Sequence, residues 1–236
     1  MKAVSALPLI ALSFLAAPAA AQLPDGGITF YGEATAVSDY RYRGISRSDE
    51  NPALQGSLTV QGDSGFYVGA WGSTLDGIGD VTTGDIGDVE LDLYAGYGTN
   101  LGLGTSVDAG VLYYYFPDGE GKTDYFEPYA SISQQLGPVQ ATAGAKYAWD
   151  QAALGDEDLL YLFGEVEAGI PLTPFTLTAG GGHQSAGAFG DYWNWSLGAE
   201  ASLGPVKAGV RYVDTDLPAE LPNVDAGLVF SAGVEF

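Results

Sequence analysis

In the run Leu54-Gln55-Gly56-Ser57-Leu58-Thr59-Val60-Gln61, apolar or small residues take every even position and polar residues every odd one. The same alternation holds over residues 139–149 and again over 193–203. Period two sustained for about ten residues is the length and pattern of a strand crossing a bilayer at a tilt, whereas a helix would scatter these polar residues around its circumference. Twelve such segments follow along the chain: 28–43, 53–62, 65–74, 89–100, 105–116, 125–136, 139–149, 159–170, 175–183, 192–203, 206–214 and 226–236. Their connections alternate in length. Residues 61–65, 100–104, 137–138, 171–174 and 204–205 are tight and built on Gly, Pro or Asn, while 44–52, 75–88, 117–124, 150–158, 184–191 and 215–225 are longer. An even strand number with both ends on the short-turn side predicts an all-β, up-and-down antiparallel transmembrane barrel of about 12 strands, with turns periplasmic and loops outside.

The N-terminus reads as a removable leader. Lys2 precedes an apolar run through Leu15, and Pro18 with Ala19-Ala20-Ala21 supplies a small-residue cleavage site. The expected division is a secretory signal peptide over 1–21 and one barrel domain over 22–236. Cysteine is absent, which excludes a disulfide framework and thiolate metal sites. The formal net charge is −22, and once Lys2 is set aside seven basic residues face 30 acidic ones. Nucleic-acid binding depends on Lys and Arg neutralising phosphates, so a nucleic-acid partner is excluded.

Aromatic residues fall at two levels. Tyr40, Tyr42, Tyr113, Tyr115, Tyr147, Trp149, Trp193, Trp195 and Tyr212 read as lipid-facing near the long loops; Phe66, Tyr97, Phe175 and Phe236 stand near the short turns. Trp and Tyr favour the membrane interface because the ring is apolar while its N–H or O–H needs a partner. The final strand ends on Val234-Glu235-Phe236. It resembles the closing strand of bacterial outer-membrane barrels, which implies the barrel-assembly machinery as a partner through Phe236 and outer-membrane lipid as the surroundings.

Three further stretches carry a resemblance: 38–46 (Ser-Asp-Tyr-Arg-Tyr-Arg-Gly-Ile-Ser) running on to 50–56, then 65–73 (Gly-Phe-Tyr-Val-Gly-Ala-Trp-Gly-Ser), then 90–97 (Glu-Leu-Asp-Leu-Tyr-Ala-Gly-Tyr). In this order and spacing they are similar to the TorF-type porin family of proteobacterial outer-membrane barrels, across roughly residues 30–100. The resemblance implies a porin-like barrel in the outer membrane of a Gram-negative bacterium and names no solute.

Strand parity assigns the lumen. Glu33, Glu90, Asp92, Asp108, Glu127, Glu165, Glu167, Glu200 and Glu235 read as inward-facing, against Lys146, Lys207 and Arg211; continuing the first strand adds Asp39, Arg41 and Arg43. Charges on the lipid face would cost several kcal/mol near the midplane, so their common parity supports the register. A narrow, mostly acidic lumen follows, suited to passive diffusion of small hydrophilic solutes with a preference for cations. Arg41, Arg43 and Arg47 are packed into seven positions, and they read either as the basic side of a constriction or as braces for the first loop. The alternative to a channel is a non-conducting structural or adhesion barrel. A further alternative is a barrel hydrolase using His183 and Ser185, with Asn194 eleven residues beyond the histidine. Asp76, Asp80, Asp85 and Asp88 punctuate a Gly-rich loop, but their spacing matches no calcium loop. No cofactor, metal-ligand set or catalytic group is assigned.

Overall fold

The computed structural model describes residues 21–22, 27–76, 79–80, 84–185 and 190–236. The expected leader, Ala21 apart, lies outside the described residues. Among them twelve strands form the wall: β1 (Ile28–Val37), β2 (Ala53–Gly62), β3 (Phe66–Thr74), β4 (Val89–Gly102), β5 (Thr105–Tyr115), β6 (Tyr125–Leu136), β7 (Val139–Gln151), β8 (Glu157–Gly169), β9 (Phe175–Ser185), β10 (Tyr192–Leu203), β11 (Val206–Thr215) and β12 (Gly227–Glu235). Each pairs antiparallel with its chain neighbour. β12 returns to β1, with Glu235 opposite Glu33 and Ser231 opposite Val37, so the sheet closes on itself. Closure removes the sheet edges that an open sheet of this size would leave unpaired. Eleven of the twelve expected segments lie within two residues of a strand as found.

The outward parity is apolar: Leu54, Val68, Leu197 and Phe230 are each more than half exposed on the barrel's exterior. A soluble protein would hide such a continuous surface; one placed in hydrocarbon presents it. The expected lipid-facing aromatics Tyr115, Tyr147, Trp149, Trp193, Trp195 and Tyr212 are exposed on this surface toward the loops, and Phe66, Tyr97, Phe175 and Phe236 toward the turns. Two of the short turns have the same chemistry. Gly137 and Gly204 each precede a proline and each adopt φ of +63°, a left-handed conformation that glycine takes without a Cβ clash.

The inner face follows a different rule. Inward tyrosines and phenylalanines lie flat over inward glycines of the neighbouring strand. A Cβ at Gly69 would stand 2.4 Å from the Tyr94 ring, one at Gly96 2.4 Å from Tyr67, one at Gly110 2.4 Å from Tyr129, and one at Gly144 2.5 Å from Phe163. These are direct cross-strand partners, so each glycine is the space its neighbour's ring occupies. Rings folded onto the wall fill much of the interior and give strands β3–β8 a packed inner layer.

The expected first strand is overturned at its upper end. It stops at Val37 instead of running to 43, and residues 38–48 turn into the barrel before the chain returns through the exposed 49–52 to β2. The cause is a knot at Asp39: its carboxylate accepts from Arg41 Nε, from Ser46 Oγ at 2.5 Å and from Ser48 Oγ at 3.3 Å. Ser48 Oγ in turn accepts from the Tyr40 amide at 2.9 Å. Side chains that bond nearby backbone and each other in this way compete with a strand ladder. The chain then makes a small hairpin, Arg41–Tyr42 against Ile45–Ser46, with Arg43 and Gly44 at positive φ at its tip. Tyr40 and Tyr42 therefore stand inside the lumen and not on the lipid face. Tyr40 is 4% exposed and packs against the inward Trp71, and Tyr42 Oη donates to the inward Tyr114 Oη at 3.2 Å.

Candidate functional site: the lumen and its inserted loop

The hairpin reaches across the outer half of the lumen and touches the wall on several sides. Gly44 at its tip is pressed against β10 and β11, where a Cβ would lie 2.3 Å from Thr215 and 3.0 Å from Asn194. Arg43 bonds Gln184 on β9 at 2.9 Å and Glu127 on β6 at 2.5 Å. Arg47 bonds Glu90 on β4 at 2.6 Å. Tyr42 lies between the two guanidiniums, 3.8 Å from that of Arg47 and 4.8 Å from that of Arg43, and its edge meets Tyr114, which stacks on Tyr125. Burial works against the charge on Arg43 and Arg47. Glu127 for Arg43 and Glu90 for Arg47, together with the tyrosines packed around them, outweigh it and hold both guanidiniums above the ordinary arginine value, so these clasps keep their positive side.

The residues read from sequence divide into three groups. Arg41 and Asp39 belong to the loop's own framework: besides Asp39, Arg41 Nη1 donates to the carbonyl of Asp225 at 2.7 Å and of Gly44 at 3.3 Å, and Nη2 to Glu50 at 3.3 Å. Its side chain ties the first loop to the last one and borders a cavity without presenting a free charge. Glu90, Asp108 and Lys207 face inward but are engaged. Glu90 holds Arg47, Asp108 accepts from Tyr67 Oη at 2.8 and 3.0 Å, and Lys207 pairs with Glu235. The third group faces open space. A cavity of about 110 Å³ beneath the hairpin is bordered by Glu33, Asp92, Lys146, Glu165, Arg211 and Asn194, among others. A second, of about 50 Å³ toward the short turns, is bordered by Glu165, Glu167, Glu200 and Arg211. Among the described residues no ion pair joins Glu33, Asp92, Glu165, Glu167 or Glu200 to Lys146 or Arg211.

Sequence reasoning missed Gln184, Tyr114 and the tyrosine–glycine layer. The signal lay in the parity itself: Gly69, Gly96 and Gly110 share the inward face with Tyr67, Tyr94 and Tyr129 on adjoining strands. The histidine set does not assemble. Gln184 faces the lumen, so its neighbours His183 and Ser185 face outward, and the His183 ring packs tilted against the exposed Trp193, with centroids 4.6 Å apart. Asn194 faces inward, accepting from Tyr161 Oη at 3.1 Å, so the alternation separates it from His183. In the acidic loop 75–88, Asp76 accepts from Asn51 Nδ2 at 2.6 Å. Residues 77–78 and 81–83 of that loop, and the side chains of Asp80 and Asp85, lie outside what the structure describes.

A closed antiparallel barrel with an apolar exterior, two aromatic levels, a charged interior and an inserted first loop is a porin-like β-barrel. The KdgM porin in complex with disordered oligogalacturonate matches this fold with a TM-score of 0.59 at 8% identity, over 88% of this chain and 98% of that one. The COG4313 outer membrane channel from Pseudomonas putida F1 matches with a TM-score of 0.56 at 13% identity, over 91% and 97%. At such identities the likeness is one of fold. No curated protein matches the chain in sequence. The chain belongs to Gcw_chp, a family described as bacterial protein of unknown function, whose model matches residues 21–232. That span contains the stretch with the TorF-type resemblance.

Proposed function

We propose that this protein is an outer-membrane channel of a Gram-negative bacterium, passing small hydrophilic solutes passively and preferring cations. The observation that carries the reading is the third group of lumen residues. Inside a closed wall with an apolar exterior, carboxylates of Glu33, Asp92, Glu165, Glu167 and Glu200 border open space, and the bases bordering it that stand outside ion pairs among the described residues are Lys146 and Arg211. Carboxylates in a narrow passage raise the local cation concentration and repel anions. The reading includes a leader removed after Ala21, delivery by the barrel-assembly machinery through Phe236, and membership in the TorF-type porins.

Reconstitution of the folded, processed protein in planar bilayers tests it. Step-like conductance with a reversal potential of cationic sign under a salt gradient is expected, and a reversal potential of anionic sign would remove the cation preference. The inserted loop favours a second reading: a hairpin pinned by two buried ion pairs could close the barrel, leaving a structural or adhesive protein. Absence of conductance from protein that is demonstrably folded and inserted would establish that reading in place of the first. Mass spectrometry of protein from the outer membrane is expected to find Gln22 as the first residue.

A further inference from the structure

We propose that the cavity beneath the hairpin is a binding site for a small zwitterion, a solute carrying one ammonium and one carboxylate. This deepens the channel reading, since a solute reaches the cavity through the lumen. Size sets the first limit: an engineered cavity of about 150 Å³ takes benzene, so about 110 Å³ accommodates a solute of a handful of heavy atoms. Charge sets the second. Glu33 and Asp92 stand on one arc of the wall, joined by the consecutive cross-strand partners Glu33, Ser57, Trp71 and Asp92, and both border the cavity. Lys146 on β7 and Arg211 on β11 stand on the other arc.

These charges are left incompletely satisfied by the protein. Asp92 is 3% exposed, and its Oδ1 makes no hydrogen bond to another protein group; neither does the buried Nε of Arg211. Burying a charge without a partner costs several kcal/mol, so a ligand supplying the missing partner is favoured. A guanidinium presents a planar fork that matches a carboxylate, and the facing carboxylates accept from an ammonium. Glu165 sits with the two bases and balances one of them. Asp39, Arg41 and Arg43 also border the cavity but are held in ion pairs, so among the groups outside such pairs a plain anion meets three carboxylates against two bases, and a plain cation leaves Arg211 or Lys146 without a counter-charge. Gly180 on β9 supplies room beside Glu165, because a Cβ there would lie 3.3 Å from the Glu165 side chain.

Equilibrium dialysis of the processed, refolded protein in detergent with labelled β-alanine tests the site, using propionate and propylamine as single-charge competitors. Saturable binding of β-alanine is expected, with each competitor at least roughly tenfold weaker, about the factor that 1.4 kcal/mol of one lost charge contact provides. Arg211→Gln and Asp92→Asn should each weaken β-alanine by a similar factor, and Arg211→Lys, which keeps the charge and loses the fork, by less. Glu120→Gln, exposed in the segment between β5 and β6 and away from the cavity lining, should leave binding unchanged. The competitor series needs no variant, so a variant that fails to fold does not blunt the test. No saturable binding, or equal competition by propionate or propylamine, overturns the proposal. Conductance without such binding would sink the zwitterion site and leave the channel standing, whereas binding without conductance would do the reverse.

Discussion

Arg43 Nη2 and Glu127 Oε1 are 2.5 Å apart, and both side chains are almost entirely buried. The pair joins the tip of the inserted hairpin to β6 across 84 residues of sequence. Glu127 is also held by Tyr114 Oη at 2.8 Å, so its two oxygens have fixed partners and its position is set by the wall. Removing one member of a buried pair leaves the other charge uncompensated, at a cost of about 3–5 kcal/mol. The hairpin can avoid that cost by leaving the lumen.

Arg43→Ala should therefore both lower the temperature at which the barrel loses its compact migration on gels and raise single-channel conductance. Arg43→Ala combined with Glu127→Gln should recover part of the heat stability, because no bare carboxylate remains, while keeping the raised conductance. Parental conductance in both variants would mean that the hairpin is not what narrows the passage.

The tyrosine–glycine layer makes a graded prediction. A methyl at Gly110 meets Tyr129 Oη at 2.4 Å and the Ala95 carbonyl at 2.5 Å, so both a ring and a backbone atom would have to move. At Gly164 the nearest atom is 3.8 Å away. Gly110→Ala should cost about 1–3 kcal/mol, as overpacking does, and Gly164→Ala should be close to neutral. Urea unfolding in detergent micelles compares them, and equal effects would show that the rings are not fixed over the glycines.

The wall was legible because period two is a geometric consequence of strands, and a bilayer on one side imposes an apolar outer parity from β2 to β12, even though inward positions such as Leu112, Val213 and Val229 are apolar too. Parity placed Asp92, Glu127, Glu165, Glu167, Glu200 and Arg211 on the inner face for that reason alone. It failed at Ser38. Residues 38–43 alternate as convincingly as the strand before them, yet the alternation there serves a hairpin whose position is set by Asp39, Ser46 and Ser48 bonding to one another. Nothing in the pattern of apolar positions distinguishes a strand that continues from one whose side chains have a better local partner. The pairing of Arg43 with Glu127 and of Arg47 with Glu90 was hidden for a related reason: each joins a loop to a strand far away in sequence, and only the closed barrel brings them within reach.

Arg41 should behave differently from Arg43. Its guanidinium bonds the carbonyls of Gly44 and Asp225 and the carboxylates of Asp39 and Glu50, linking the first loop to the segment at 215–225. Arg41→Ala should expose both loops to limited proteolysis in intact cells while changing conductance less than Arg43→Ala does. If conductance rises as much as in the Arg43 variant, the two arginines act together in holding the hairpin across the lumen.

The carboxylates toward the short turns should set ion selectivity according to whether they are engaged. Glu167 and Glu200 border the lower cavity, and neither takes part in an ion pair among the described residues. Asp108 also faces inward, but Tyr67 Oη donates to both of its oxygens and it is 3% exposed. A unit charge about 7 Å from a passing ion in a water-like dielectric is worth about 0.6 kcal/mol, or roughly threefold in local cation concentration. Glu167→Gln and Glu200→Gln should each move the reversal potential toward zero by an amount consistent with that factor, and the double variant further. Asp108→Asn keeps an acceptor for Tyr67 and should leave the reversal potential close to the parent value. A larger shift from Asp108→Asn than from Glu167→Gln would put the ion path along the β4–β6 side of the lumen instead of past the lower cavity.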